Sequence, residues 1–168
     1  MKTERIVNLI GALGGAIADD IDKDTAALLP PAVPPAAIAL VGHAPWITVA
    51  ELASALQLSP SATVRLVDRA TEAGLLVRKP SEADKRVSLV ELTEAGRAVE
   101  TQIVAVRRRT VEQLLSGLSS SDKDRLGELA EKMLGQLVRD PNHAVRVCRM
   151  CEPRVCADCP VEPMLPPR

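Results

Sequence analysis

The sequence predicts a mainly α-helical chain carrying one small β-hairpin, on three observations. Apolar residues recur at helical spacing at both ends of the chain. Two short strand-like runs, 75–79 and 87–92, flank the charged segment Pro80–Arg86. The 168 residues are 46% hydrophobic yet hold one Trp, no Tyr and no Phe. An aliphatic interior of that kind suits packed helices better than a β-sandwich. The missing aromatics also argue against binding single-stranded nucleic acid by base stacking.

A first helix is expected from about Glu4 to Leu28, with Ile6, Ile10, Leu13, Ile17 and Ile21 on one face. Residues 6–18 follow Lys2 and Arg5 and end in Ala-Ile-Ala, which mimics a secretion signal. The amphipathic pattern continues past the supposed cleavage point, so a helix explains it better. Prolines at 30, 31, 34 and 35 stop that helix. They also break the charge-free stretch 25–50, which is read as a loop and a short buried helix at about Pro35–Val41, not a membrane span.

From Thr48 the chain reads TVAELASALQLSPSATVRLVDRATEAGLL. Thr48 and Glu51 have the spacing of a capping box, so a helix begins there with Leu52, Ala53 and Leu56 inward. After the corner Gln57-Leu58-Ser59 a second helix starts at Pro60, where a missing N–H costs nothing. Thr63, Leu66, Val67 and Ala70 share its inner face; Ser61, Val64, Arg65 and Asp68 share the outer one, and Gly74 ends it. One helix braces while the other offers its first turns to a major groove, the helix-turn-helix pattern. An ordinary helical hairpin has the same periodicity, but the charged hairpin that follows is what makes a wing. Lys85 and Arg86 lie at its tip, placed to reach a phosphate backbone or a narrow minor groove. Thr93 then caps another helix. The formal net charge is −1, and residues 61–97 hold seven basic and six acidic side chains. Positive charge is therefore local, not abundant.

Two further helices are expected beyond the wing. Val99, Ile103, Val106 and Leu114 stripe the first, beside Arg107, Arg108 and Arg109, which are read as a solvated face. Leu126, Leu129, Met133, Leu134 and Leu137 stripe the second, with Ser121 and Asp124 as its capping pair. His43 and His143 are isolated in the sequence. No nucleophile–base pair or paired carboxylates point to an enzyme.

The run S-P-S-A-T-V-R-L-V-D-R, the Gly74-Leu75 exit, the Asp84-Lys85-Arg86 tip and the L-T-x-A-G exit resemble the MarR family of winged-helix regulators. The resemblance covers about Ile6–Leu137 and is most specific between Thr48 and Gly96. It implies a mainly α winged helix-turn-helix, a homodimer built by intertwining the first helix with the last two, and pseudo-palindromic double-stranded operator DNA. Control by a small-molecule effector or by oxidation follows as well. Carried over by position, Ser59, Ser61, Val64 and Arg65 would face the major groove and Arg86 the minor groove, with Asp84 shaping the wing by pairing with Arg86. Val64 departs from the polar residue usual there and would meet a thymine methyl group instead. The implied organisation is a dimerisation helix and linker (1–34), a DNA-binding domain (35–96), dimerisation helices (97–140) and a cysteine-rich tail (141–168). A non-enzymatic cytoplasmic regulator, a repressor, is the leading expectation.

All four cysteines, Cys148, Cys151, Cys156 and Cys159, lie in that tail as two Cys-x2-Cys pairs four residues apart. Free or disulfide-forming thiols are one reading. Four thiolates around one zinc ion are favoured, with an iron–sulfur cluster as the alternative because Pro160 follows the last cysteine. Two rivals follow: a metal- or redox-carrying protein whose winged helix mediates protein contacts, and a secreted, disulfide-stapled helical protein.

Overall fold

The computed structural model describes residues 3–44, 46–82, 84–152, 155 and 158–165. Helix α1 (Thr3–Thr25) runs into a 3-10 turn at Ala26–Leu28, so the regular helix ends one turn before the expected Leu28. There the Thr25 hydroxyl, fully buried, donates to the Ile21 carbonyl at 2.7 Å. The prolines carry the chain to α2 (Pro35–His43), whose Ala37, Ile38 and Ala39 are completely buried. A two-residue strand β1 (Ile47–Thr48) follows, then α3 (Val49–Leu56) and α4 (Pro60–Glu72). Strands β2 (Leu76–Pro80) and β3 (Ser88–Leu92) form the hairpin. Helices α5 (Glu94–Leu115), α6 (Ser120–Leu137) and α7 (Pro141–Cys148) complete the chain, with a 3-10 turn at Glu162–Met164.

The sheet is antiparallel in the order β1-β3-β2, with Ile47 opposite Val90 and Arg78 opposite Val90 on its other side. The expected hairpin is thus joined by a third strand too short to show any alternation. One aliphatic core joins α2, α3, α4, the sheet and Ile103 of α5. Ile38, Leu52, Val67 and Ile103 are wholly buried in it, each stabilising the fold by about 1.5–3 kcal/mol.

The caps follow the sequence closely at α3. The Thr48 hydroxyl accepts the Glu51 N–H at 3.1 Å, while the Glu51 carboxylate accepts the Thr48 N–H at 2.8 Å. At α6 the register is corrected: Ser119, not Ser121, caps the helix and accepts the Asp122 N–H at 3.2 Å. Both pairs have the Ser-x-x-Asp spacing, and the earlier start adds half a turn of hydrogen-bonded backbone. In the tail, where periodicity is lost from the sequence, Asp140 accepts the His143 N–H at 2.9 Å and starts α7. No helix among the described residues is long and apolar enough to cross a membrane.

Candidate nucleic-acid interface

Helix α4 divides as its pattern requires. Thr63, Leu66, Val67 and Ala70 are buried, whereas Ser61, Val64, Arg65 and Asp68 are exposed. Ser59 is the N-cap: its hydroxyl accepts the Ala62 N–H at 3.3 Å and lies 3.3 Å from the Ser61 hydroxyl. Inward-facing Thr63 donates to the Ser59 carbonyl at 3.1 Å, which fixes the same turn from beneath. Gln57, at φ 55°, makes the left-handed corner before it. At the far end Gly74 takes φ 72°, and two bonds close a Schellman motif: Leu75 N–H to the Ala70 carbonyl and Gly74 N–H to the Thr71 carbonyl, both at 2.9 Å.

The wing is tied to this helix. Arg78 on β2 donates to Asp68 of α4 at 2.6 Å and to the Val64 carbonyl at 3.4 Å. At the tip, Arg86 forks onto Asp84 through Nε and Nη2, each at 3.1 Å, and its backbone N–H donates to the same carboxylate at 3.0 Å. These bonds, the side-chain pair above all, hold the Asp84 carboxyl below its ordinary value of 3.8. The Arg86 side chain is nonetheless 90% exposed. Lys85 beside it is exposed too. Asp84 thus orients Arg86, as the resemblance implied.

For three residues here the sequence reading was incomplete. Arg78 counted only as one positive charge; its alternating position on β2, opposite Val90, was the available signal. Thr93 caps α5 by accepting the Gly96 N–H at 3.0 Å while donating to the Gly74 carbonyl at 2.6 Å, so it also locks the exit of α4. Arg107, expected on a solvated face, is half-buried and directs Nη2 at the Cys151 sulfur, 3.9 Å away. Nothing local announces that contact. His43, isolated in sequence, has Nε2 3.7 Å from the Glu100 carboxylate. Of the candidate metal ligands, Cys148, Cys151 and Cys159 are half-buried, and Cys156 lies outside the described residues. Among the described residues no three metal-ligating side chains gather at one point.

A bracing helix, a free-faced second helix and a three-stranded wing define a winged helix-turn-helix protein. Residues 29–87 match the MarR family model, so this segment is similar to that family. It is 31% identical over 91 residues to the transcriptional repressor MprA of Escherichia coli, which covers 54% of this chain and 52% of the relative. The chain therefore spans about half the length of the curated relative it matches. Among solved structures, a MarR family protein from Bacillus stearothermophilus superposes with a TM-score of 0.65 at 25% identity, over 83% of this chain and 100% of that one. A mutant MarR from Escherichia coli complexed with operator DNA gives 0.59 at 25% identity, over 77% and 94%.

Proposed function

We propose that this protein is a sequence-specific DNA-binding transcription regulator, a repressor, that acts as a homodimer on a pseudo-palindromic operator. One observation carries the reading: the exposed face of α4, with Ser61, Val64 and Arg65, is braced through Asp68–Arg78 to a wing that presents Lys85 and Arg86. In this reading α4 enters the major groove and the wing grips the backbone or minor groove. Ser59 contributes by fixing the first turn of α4, its hydroxyl being engaged in the cap. The reading is supported by the match over 29–87, by the repressor named among the relatives, and by the neighbour solved with operator DNA. The rival in which the winged helix serves protein contacts gains nothing from these relatives.

The homodimer is inferred from apolar faces that the single chain leaves open. Helix α6 buries none of its residues, and Leu129, Met133 and Leu137 are about half exposed, as are Leu9, Ile10 and Leu13 of α1. For an effector, an open cleft of about 420 Å³ at the α1–α2 corner, lined by Asp22, Thr25, Leu29, Val33 and Pro35, is the proposed seat. The protein works without catalysis, in the cytoplasm.

The test uses a duplex selected by the full-length protein from a random-sequence pool. Arg65→Ala and Arg86→Ala are each expected to weaken binding to that duplex at least tenfold, Arg65→Ala with relaxed preference at one base pair. Retained affinity in both variants would sink the proposal.

A further inference from the structure

The molecule's one tryptophan, Trp46, stands where a smaller residue would be at ease. It lies in the turn between α2 and β1, closed by the Ile47 N–H donating to the Ala44 carbonyl at 3.2 Å. At the third position of that turn its φ is 73°. Positive φ there is ordinarily met by Gly or Asn, and a bulky side chain is disfavoured. Such a conformation persists only where the surroundings over-determine it. The surroundings here are the wing.

Val90 of β3 is wholly buried between Ile47 and Arg78, and Arg78 reaches across to Asp68 of α4. Side chains alternate along each strand, so Lys79 and Glu91 belong to the opposite, outer face of the sheet. On that face Lys79 Nζ sits 4.9 Å from the centre of the Trp46 ring and 2.5 Å from a Glu91 carboxylate oxygen. Trp46 leads into β1, Lys79 is on β2 and Glu91 on β3, so this chain of contacts crosses all three strands. It matters most for β2, which pairs with β3 alone and runs on to the tip that carries Lys85 and Arg86. The charge of Lys79 is taken up by Glu91, so this face offers phosphate little attraction of its own. We infer that Trp46 is a positioning residue for DNA binding: clamped over Lys79, it sets how the wing inclines against α4 and so where Lys85 and Arg86 meet the duplex. Asp68–Arg78 then holds the wing from the inner face, and Trp46–Lys79–Glu91 holds it from the outer one. The inference rests on the DNA-binding reading for its consequence, not for the clamp itself.

The experiment uses the full-length protein and the duplex it selects. Trp46→Gly and Trp46→Ala both remove the ring, but only Gly is at ease at φ 73°. Trp46→Gly should therefore melt higher than Trp46→Ala. Both should bind the duplex about tenfold more weakly than the wild type, with a salt slope lower by about one to two, the mark of lost phosphate contacts. Base preference under α4 should stay. Trp46→Phe should restore most of the affinity. Lys79→Met should match Trp46→Gly, and the double variant should be no worse than either. Without DNA, amide exchange in 76–80 should quicken several-fold in Trp46→Gly, while that in 60–72 stays unchanged. That readout stands even if Arg65→Ala and Arg86→Ala keep their affinity and the DNA-binding reading fails. Affinity that follows melting, with Trp46→Gly binding as the wild type does, would reduce Trp46 to a turn residue. Lost affinity with unchanged exchange in the wing would mean that the ring touches DNA itself. Either result would overturn the inference.

Discussion

Among the glycines, Gly96 leaves the least room for a side chain. A Cβ there would lie 2.0 Å from the Leu75 carbonyl oxygen, and neither the end of α4 nor the Thr93 cap can move aside without breaking its hydrogen bonds. Gly96→Ala is therefore expected to cost about 3 kcal/mol or more. Gly15, on the exposed side of α1 with nothing within 4 Å of its Cβ position, should give the opposite sign: Gly15→Ala gains about 0.5–1 kcal/mol. Urea melts of the two variants decide, and equal shifts would refute the steric account. Asp84 supplies a second test at this scale. Its folded pKa is lowered, so what its pairing contributes is present above 3.8 and is lost only as pH falls through the lowered value. Between about pH 5 and 8 the tip should not respond to this group. If the carboxylate serves to orient Arg86, Asp84→Asn weakens duplex binding several-fold although it removes a negative charge facing phosphate. A gain in affinity would mean that Asp84 is simple repulsion.

Between elements, the Asp68–Arg78 bridge joins α4 to the wing. Both side chains are more than a third exposed, so the pair contributes under about 1 kcal/mol to stability. Its expected effect is on geometry: Asp68→Ala and Arg78→Ala should each loosen duplex binding with little change in melting, and the double variant should cost no more than the worse single one. Additive losses would assign Arg78 to phosphate contact instead. At this scale the sequence was legible where signals are local. Thr48 with Glu51, Pro60 after Ser59, and Gly74 at positive φ are all decided within a few residues. It was illegible where packing chooses among equals. Ser119 and Ser121 offer the same capping spacing, and β1 has two residues, too few for a period. The docking of α7 on α3 joins segments about 90 residues apart. Only the Asp140-Pro141 start of α7 could have been read in advance, as an N-cap followed by proline at N1.

For the whole molecule, the question is what covers α6. An amphipathic helix of 18 residues with none buried has little reason to persist in water, because helices of this length are marginal without tertiary contacts. Its Leu126, Leu129, Met133 and Leu137, like Ile6, Ile10 and Leu13 of α1 and Leu114 of α5, expose aliphatic surface. Burying six such side chains of one chain against another would contribute roughly 1.5–3 kcal/mol each before the cost of association. Acidic Asp19, Asp20 and Asp22 of α1 and basic Arg109 of α5 are exposed as well. The protein is thus expected to sediment as a dimer, with a melting temperature that rises with concentration. Leu129→Arg should yield a monomer that loses helix content equivalent to α6. Its affinity for a two-half-site duplex should fall about a hundredfold or more, since the second half-site is then no longer tethered to the first. Binding to a single half-site should change little, because α4 and the wing are held by the core around Leu66 and Val90. A wild-type monomer with all helices intact, or a Leu129→Arg variant that still binds the full site tightly, would show that α6 is covered in some other way.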